Sequence, residues 1–175
     1  YAGVPHPPGY PVWTLYSWFF TAILPFSNMA WRVAVSSAFA GALSVGIIGM
    51  LVSRGSSLIV EGIAEFRAIE RKWENPLCLI SGLVSGLLLG FNGFIWSQSV
   101  IVEVYTLAVL TFAGVLVCLF RWTYSPGRLR YLYGAFFLFG LCFCNHQTLI
   151  VAAMGIEVVI AMGDRKLGRD LFLAN

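Results

Sequence analysis

An all-α integral membrane protein is the fold class this sequence predicts, and three observations carry the prediction. Mean hydropathy is +0.82. Hydrophobic residues make up 59% of the chain and charged residues 11%, where a soluble domain carries about a quarter charged. All but one of the eleven Lys and Arg residues fall in three clusters, Arg54 to Lys72, Arg121 to Arg130 and Arg165 to Arg169, with long apolar runs between them. Basic loops held in the cytoplasm, with the runs between them crossing a bilayer, leave this pattern. The expected architecture is about five transmembrane helices, the last two a short hairpin, plus one interfacial and one cytoplasmic amphipathic helix. The net charge of +3 then reflects orientation in the bilayer and gives no reason to expect nucleic acid.

Residues 1–28 read as an extracytoplasmic loop followed by an interfacial helix. Pro5, Pro7 and Pro8 exclude helix from the first ten residues, and Gly9 permits a tight turn. Pro11 can open a helix and Pro25 ends it. The segment between them would reach roughly 22 Å, too short to span, and its aromatic load of Trp13, Tyr16, Trp18, Phe19 and Phe20 suits the interface. The first span, 30–52, is rich in Ala, Ser and Gly, which allows close helix packing. In the cytoplasmic loop 53–76, residues 57–75 predict an amphipathic helix. Ile59, Ile63, Phe66 and Trp73 lie along one face among Glu61, Glu65, Arg67, Glu70, Arg71 and Glu74, and Asn75-Pro76 stops it.

Spans 77–96 and 100–121 follow, with Trp96-Ser97-Gln98-Ser99 as the break outside and Ser125-Pro126-Gly127 as the turn inside. The stretch 131–163 is flanked by basic residues on both sides, which requires an even number of crossings. It is therefore a hairpin of 131–145 and 148–163 with its tip at Asn145-His146-Gln147-Thr148. Arms of about 15 residues reach roughly 22 Å into a core about 30 Å thick. A polar tip at that depth must be buried in protein or face a water-filled cavity, and such a cavity is expected there. The chain opens at Tyr1 with neither an initiator Met nor a signal-peptide pattern, so it reads as a fragment with at least one crossing upstream.

Cys78, Cys118, Cys142 and Cys144 lie inside apolar runs and make no disulfide framework. Cys142 and Cys144 lack a second ligand pair, so apolar packing is expected and no metal-binding residue is assigned; a divalent metal requirement stays open. No P-loop, Rossmann or nucleophile-elbow pattern occurs, and no nucleotide cofactor is expected.

Function is sought in polar residues on the extracytoplasmic side. Glu103, one turn into the third span, shares a helical face with Ser99 and Thr106. A carboxylate near hydrocarbon costs about 3 kcal/mol, so it either contacts substrate or pairs with a cation such as Arg32. His146 lies between the amides of Asn145 and Gln147, and could serve as a general base, a phosphate donor or a packed core residue. His6, in His6-Pro7-Pro8-Gly9-Tyr10, is a substrate candidate or simply solvated. Arg32 violates the positive-inside rule; holding a phosphate explains that, and so does snorkelling. Glu157 reads as structural.

Three segments together carry a resemblance: His6-Pro7-Pro8-Gly9-Tyr10-Pro11, then Trp31-Arg32-Val33 with Ser36-Ser37-Ala38, then Trp96-Ser97-Gln98-Ser99-Val100 through Glu103-Val104-Tyr105-Thr106-Leu107. With Asn145-His146-Gln147-Thr148, they resemble a family of multi-pass proteins long catalogued as a domain of unknown function. Its animal members include a protein O-mannosyltransferase of the endoplasmic reticulum, and the family is similar to the GT-C glycosyltransferases. The resemblance implies a GT-C-like fold and transfer of a sugar from a polyprenyl- or dolichyl-phosphate carrier to a protein or glycan acceptor on the extracytoplasmic or luminal face. It implies a principal catalytic acid just before the HPPGYP stretch, upstream of Tyr1. Glu103 and His146 are then the catalytic candidates of this segment. His6, Tyr10, Arg32, Trp96, Gln98, Tyr105, Asn145 and Gln147 are the substrate-binding candidates. Gln147 stands where the family often has His. A bacterial inner membrane is favoured over the endoplasmic reticulum. The residues alone also leave open a transporter or flippase, or a non-catalytic membrane scaffold.

Overall fold

The computed structural model describes residues 10–64, 66 and 71–174. His6 and the proline-rich segment lie outside the described residues, as do Glu65, Arg67 and Glu70 of the expected amphipathic helix. The described residues form eight α-helices: α1 (Pro11–Ile23), α2 (Met29–Gly62), α3 (Arg71–Gly90), α4 (Gly93–Val100), α5 (Tyr105–Tyr124), α6 (Leu129–Asn145), α7 (Ala152–Gly163) and α8 (Arg165–Ala174). A short 3-10 turn, Gln147–Val151, joins α6 to α7. Among them α2, α3 and α5 are long and apolar enough to cross a membrane, and two shorter apolar helices occupy the expected hairpin. Leu79, Leu83, Leu88, Phe137, Met154 and Met162 are largely exposed, a face that hydrocarbon can solvate and water cannot.

Asn28 starts α2 by accepting the Trp31 backbone N–H on Oδ1 at 2.8 Å. The helix then runs 34 residues to Gly62 without a break, past the expected end of the first span at 52. The hydroxyls explain the difference. Ser56 donates to the Val52 carbonyl and Ser57 to the Arg54 carbonyl, each at 2.8 Å, so these polar groups are satisfied within the helix. Residues 57–62 thus belong to α2, and no single amphipathic helix spans 57–75. Nor does Asn75-Pro76 stop a helix: Pro76 sits inside α3, in its second turn, and the helix continues past the one ladder hydrogen bond that a proline forgoes.

Small residues bring α2 and α3 together. A Cβ placed on Gly82 would lie 2.5 Å from the Gly49 carbonyl oxygen, so the two backbones touch. Ser56 and Ser81 share a hydrogen bond of 2.7 Å across the same seam. On its other side α2 buries Ser36, Ser37, Ala40 and Ser44 towards α1 and α5, and Tyr16 of α1 donates to the Ser36 carbonyl at 3.0 Å.

The break between the second and third spans falls earlier than Trp96. Asn92 caps a new helix, accepting from the backbone N–H of Phe94 at 3.0 Å and of Ile95 at 3.4 Å. Trp96, Ser97 and Gln98 therefore sit within α4, and the non-helical link is Ile101–Val104.

Helix α5 carries the core. Val115, Leu119 and Trp122 pack with Leu132, Ala135 and Cys142 of α6 and with Ile156 and Ile160 of α7. The Trp122 indole donates to the Pro126 carbonyl at 3.2 Å, fixing the turn into α6. Asp164 caps α8 by accepting from the backbone N–H groups of Lys166 and Leu167. Leu167 and Leu171 lay that last helix against the core.

Candidate functional site

The link before α5 places Glu103. Its backbone carbonyl accepts two side-chain hydrogen bonds from distant helices, from Trp13 Nε1 at 3.1 Å and from Ser37 Oγ at 3.3 Å. Val104, next in the chain, is buried with Trp13, Ala40 and Leu107. With the 103 carbonyl so engaged, the helical ladder of α5 starts one residue later, where Ala108 N–H donates to the Val104 carbonyl at 3.0 Å. Glu103 therefore precedes the third span instead of lying one turn within it. Ser99, Glu103 and Thr106 do not share a helical face, because they occupy α4, the link and α5 respectively. Ser99 and Thr106 nevertheless both lie against Gly41 of α2. The Glu103 carboxylate is half-buried, and no hydrogen bond or ion pair to it occurs among the described residues.

The far half of the cluster comes from the end of α6. His146 leaves the helix in an extended conformation, its N–H donating to the Cys142 carbonyl at 2.8 Å. Its ring lies 5.1 Å from that of Tyr105, and its Nδ1 is hydrogen-bonded to the Thr148 hydroxyl. The Tyr105 ring also meets Phe94 of α4, edge on, at 6.1 Å. The first turn of α5 is thus the meeting point of α4 and of the α6 terminus.

Three side chains carry buried hydrogen-bonding atoms with no partner among the described residues: Gln98 Oε1 in α4, Thr106 Oγ1 in the first turn of α5, and both amide atoms of Asn145 at the end of α6. Asn145 is fully buried, while Gln147 and Thr148 are exposed. The hairpin tip thus buries the Asn145 amide in protein and turns Gln147 and Thr148 outward. A buried polar atom left unpaired costs about 1–3 kcal/mol, so each of these groups is costly unless something completes it. The N-terminus of α5 adds to this: no side chain caps it, and its first N–H groups are free of intrahelical partners. That end of a helix favours anions.

Arg32 stands apart from this cluster. Its guanidinium donates to the backbone carbonyls of Phe26 at 3.0 Å, Thr21 at 3.2 Å and Ser27 at 3.1 Å. It ties down the α1–α2 turn, where Ser27 takes the left-handed conformation, φ 65°. The alternative of Arg32 pairing with Glu103 is therefore not met: its planar fork clamps backbone carbonyls instead. Substituting Arg32 by Lys should cost about 1–2 kcal/mol of stability, read as detergent unfolding of the full-length protein, since one ammonium cannot span three carbonyls. Unchanged unfolding with weakened donor binding would return Arg32 to a phosphate.

Trp96 is exposed and stacks on Phe91 with centroids 5.8 Å apart, on the outer side of the α3–α4 corner. Tyr10, half-buried at the start of α1, packs on the Trp13 cluster. Of the sequence candidates, the structure brings the rings of Tyr105 and His146 together, and Glu103 and Asn145 lie close to them along the chain. Gln98 sits in α4, Tyr10 packs on the Trp13 cluster, Arg32 binds carbonyls of the α1–α2 turn, and Trp96 and Gln147 are exposed. Two residues holding the cluster, Trp13 and Ser37, were not read as site residues. Ser37 carried a faint signal within Ser36-Ser37, whereas Trp13 is one aromatic among several in α1.

Long apolar helices, a hairpin of shorter ones and a polar cluster at one helix start define an integral, multi-pass membrane protein. The profile described as Protein O-mannosyl-transferase TMEM260 N-terminal domain matches residues 2–168, and the chain belongs to that family. It is similar to Protein O-mannosyl-transferase TMEM260 of Mus musculus, 29% identical over 153 residues, covering 85% of this chain and 19% of the relative. It is also similar to Protein O-mannosyl-transferase tmem260 of Dictyostelium discoideum, 25% identical over 191 residues, covering 99% of this chain and 21% of the relative. The chain thus spans about a fifth of the length of these relatives. Both are eukaryotic, which gives no support to the expected bacterial inner membrane. No solved structure matches the chain.

Proposed function

We propose that this chain is the membrane segment of a protein O-mannosyltransferase that takes its sugar from a polyprenyl-phosphate carrier on the luminal or extracytoplasmic face. The observation that carries the reading is the contact of Tyr105 with His146, which joins the Glu103–Thr106 stretch to Asn145 among buried polar groups that lack partners. Membership of the family and the names of the relatives support transfer of mannose to protein.

In the proposed step a Ser or Thr hydroxyl oxygen of the acceptor attacks the anomeric carbon. The bond from that carbon to the carrier phosphate breaks, and the phosphate leaves with the bonding electrons. Glu103 is the carboxylate this chain brings to the acceptor hydroxyl, orienting it and taking up its proton as the new oxygen–carbon bond forms. His146 and the uncapped start of α5 hold the phosphate as its charge develops. Tyr105 offers its ring face to the sugar, and Gln98 and Asn145 supply hydrogen bonds to it. A lipid-linked donor reaches such a cluster from within the bilayer, which a water-soluble nucleotide sugar would not need.

The test uses full-length protein in membranes, supplied with polyprenyl-phosphate mannose and an acceptor peptide. Glu103→Gln and His146→Ala should each lower transfer by roughly a hundredfold at unchanged protein level. Normal transfer by both variants would remove the site assignment, and efficient transfer from a nucleotide sugar alone would remove the carrier.

A further inference from the structure

A second concentration of chemistry lies at the opposite end of α5. There Arg54 of α2, Arg121 of α5 and Arg128 of the following turn line one cavity of about 480 Å³, together with Ser57, Tyr124 and Tyr131. By the helical rise, Arg121 is roughly 22 Å along α5 from Thr106, so this is not the candidate transfer site. No carboxylate lines the cavity among the described residues. Arg130 adds a fourth guanidinium, donating to the Tyr131 hydroxyl at 3.1 Å and lying 4.9 Å from its ring centre.

The positive-inside rule places arginines at this end of the bundle, but it does not require three of them, from separate elements, to share one hollow. Brought together with no carboxylate among the described lining residues, they repel, and an anion relieves that repulsion. The hollow is also two-sided. Met50, Leu51, Val117 and Phe120 form its apolar wall, continuous with the span faces of α2 and α5. A ligand that suits both sides has a phosphate that guanidinium forks can grip and an acyl chain that lies along the apolar wall.

We infer that this cavity is a binding site for the phosphate headgroup of an anionic phospholipid in the leaflet next to the basic loops. Basic pockets between transmembrane helices bind such headgroups. The site stands on its own residues and does not depend on the transferase reading.

Native mass spectrometry of the full-length protein in detergent tests it, with phosphatidylglycerol and phosphatidylcholine of identical acyl chains as probes. Phosphatidylglycerol should be retained in preference. Arg121→Gln combined with Arg128→Gln should weaken its binding roughly tenfold or more, while the corresponding double Lys variant keeps the charge and loses only the fork, and so retains part of it. Equal retention of the two lipids by the wild-type protein overturns the inference, and so does unchanged phosphatidylglycerol binding by the Gln variant. Displacement of bound phosphatidylglycerol by glycerophosphate alone would reassign the cavity to a soluble anion. Should the Gln variant fail to fold, the wild-type preference and the Lys variant decide the matter.

Discussion

Asn145→Leu is expected to stabilise the full-length protein by about 1–3 kcal/mol while lowering mannose transfer roughly a hundredfold. The two effects have one cause. Asn145 is fully buried, and neither its amide oxygen nor its nitrogen finds a partner. Leu has the same branched arrangement of side-chain heavy atoms and no polar atoms, so the substitution removes the desolvation cost without opening a cavity. It also removes the amide that the proposed sugar contact uses. Buried polar groups kept at a cost in stability are common where a ligand completes them. Thermal unfolding in detergent and a transfer assay read the two effects separately. A less stable Leu variant would mean that the amide is already satisfied, and a variant with normal transfer would place Asn145 outside the site.

Gly82→Val is expected to have the largest effect on stability, a loss of about 3 kcal/mol or more. The added Cβ would stand 2.5 Å from the Gly49 oxygen and 2.7 Å from Ser53 Cβ. Both neighbours lie on α2 and the first is backbone, so relief requires the two helices to part. Parting them exposes the Ser56–Ser81 hydrogen bond and loosens the helix on which Ser37 is carried. Gly46→Ala is the control, because a Cβ there meets nothing within 4 Å, and stability should stay within about 1 kcal/mol. Unfolding followed by tryptophan fluorescence distinguishes them. Equal losses at both positions would show that glycine is needed for helix flexibility and not for close approach.

The membrane class and the number of apolar helices could be read from the sequence because hydropathy and the clustering of basic residues are long-range averages. Boundaries were harder, for local reasons. Ser53, Ser56 and Ser57 look like a helix end in one dimension, yet two of these hydroxyls bond the preceding turn and α2 continues. Trp96-Ser97-Gln98 looks like an outer loop, whereas Asn92 supplies the cap and turns that segment into helix. Ten-residue α8 went unread because its basic residues suggested only a flank. Within the candidate site, Glu103, Asn145 and His146 stood out as polar residues in apolar surroundings. The role of Arg32 could not be read, since its partners are carbonyls brought together by the turn at Ser27. Trp13 was hidden because its indole bonds a residue 90 positions away.

The grip of Trp13 and Ser37 falls on the peptide oxygen of position 103 and not on its carboxylate. Whatever side chain is installed there inherits the same mooring. Exchanges at that position accordingly probe the carboxylate with the scaffold held constant.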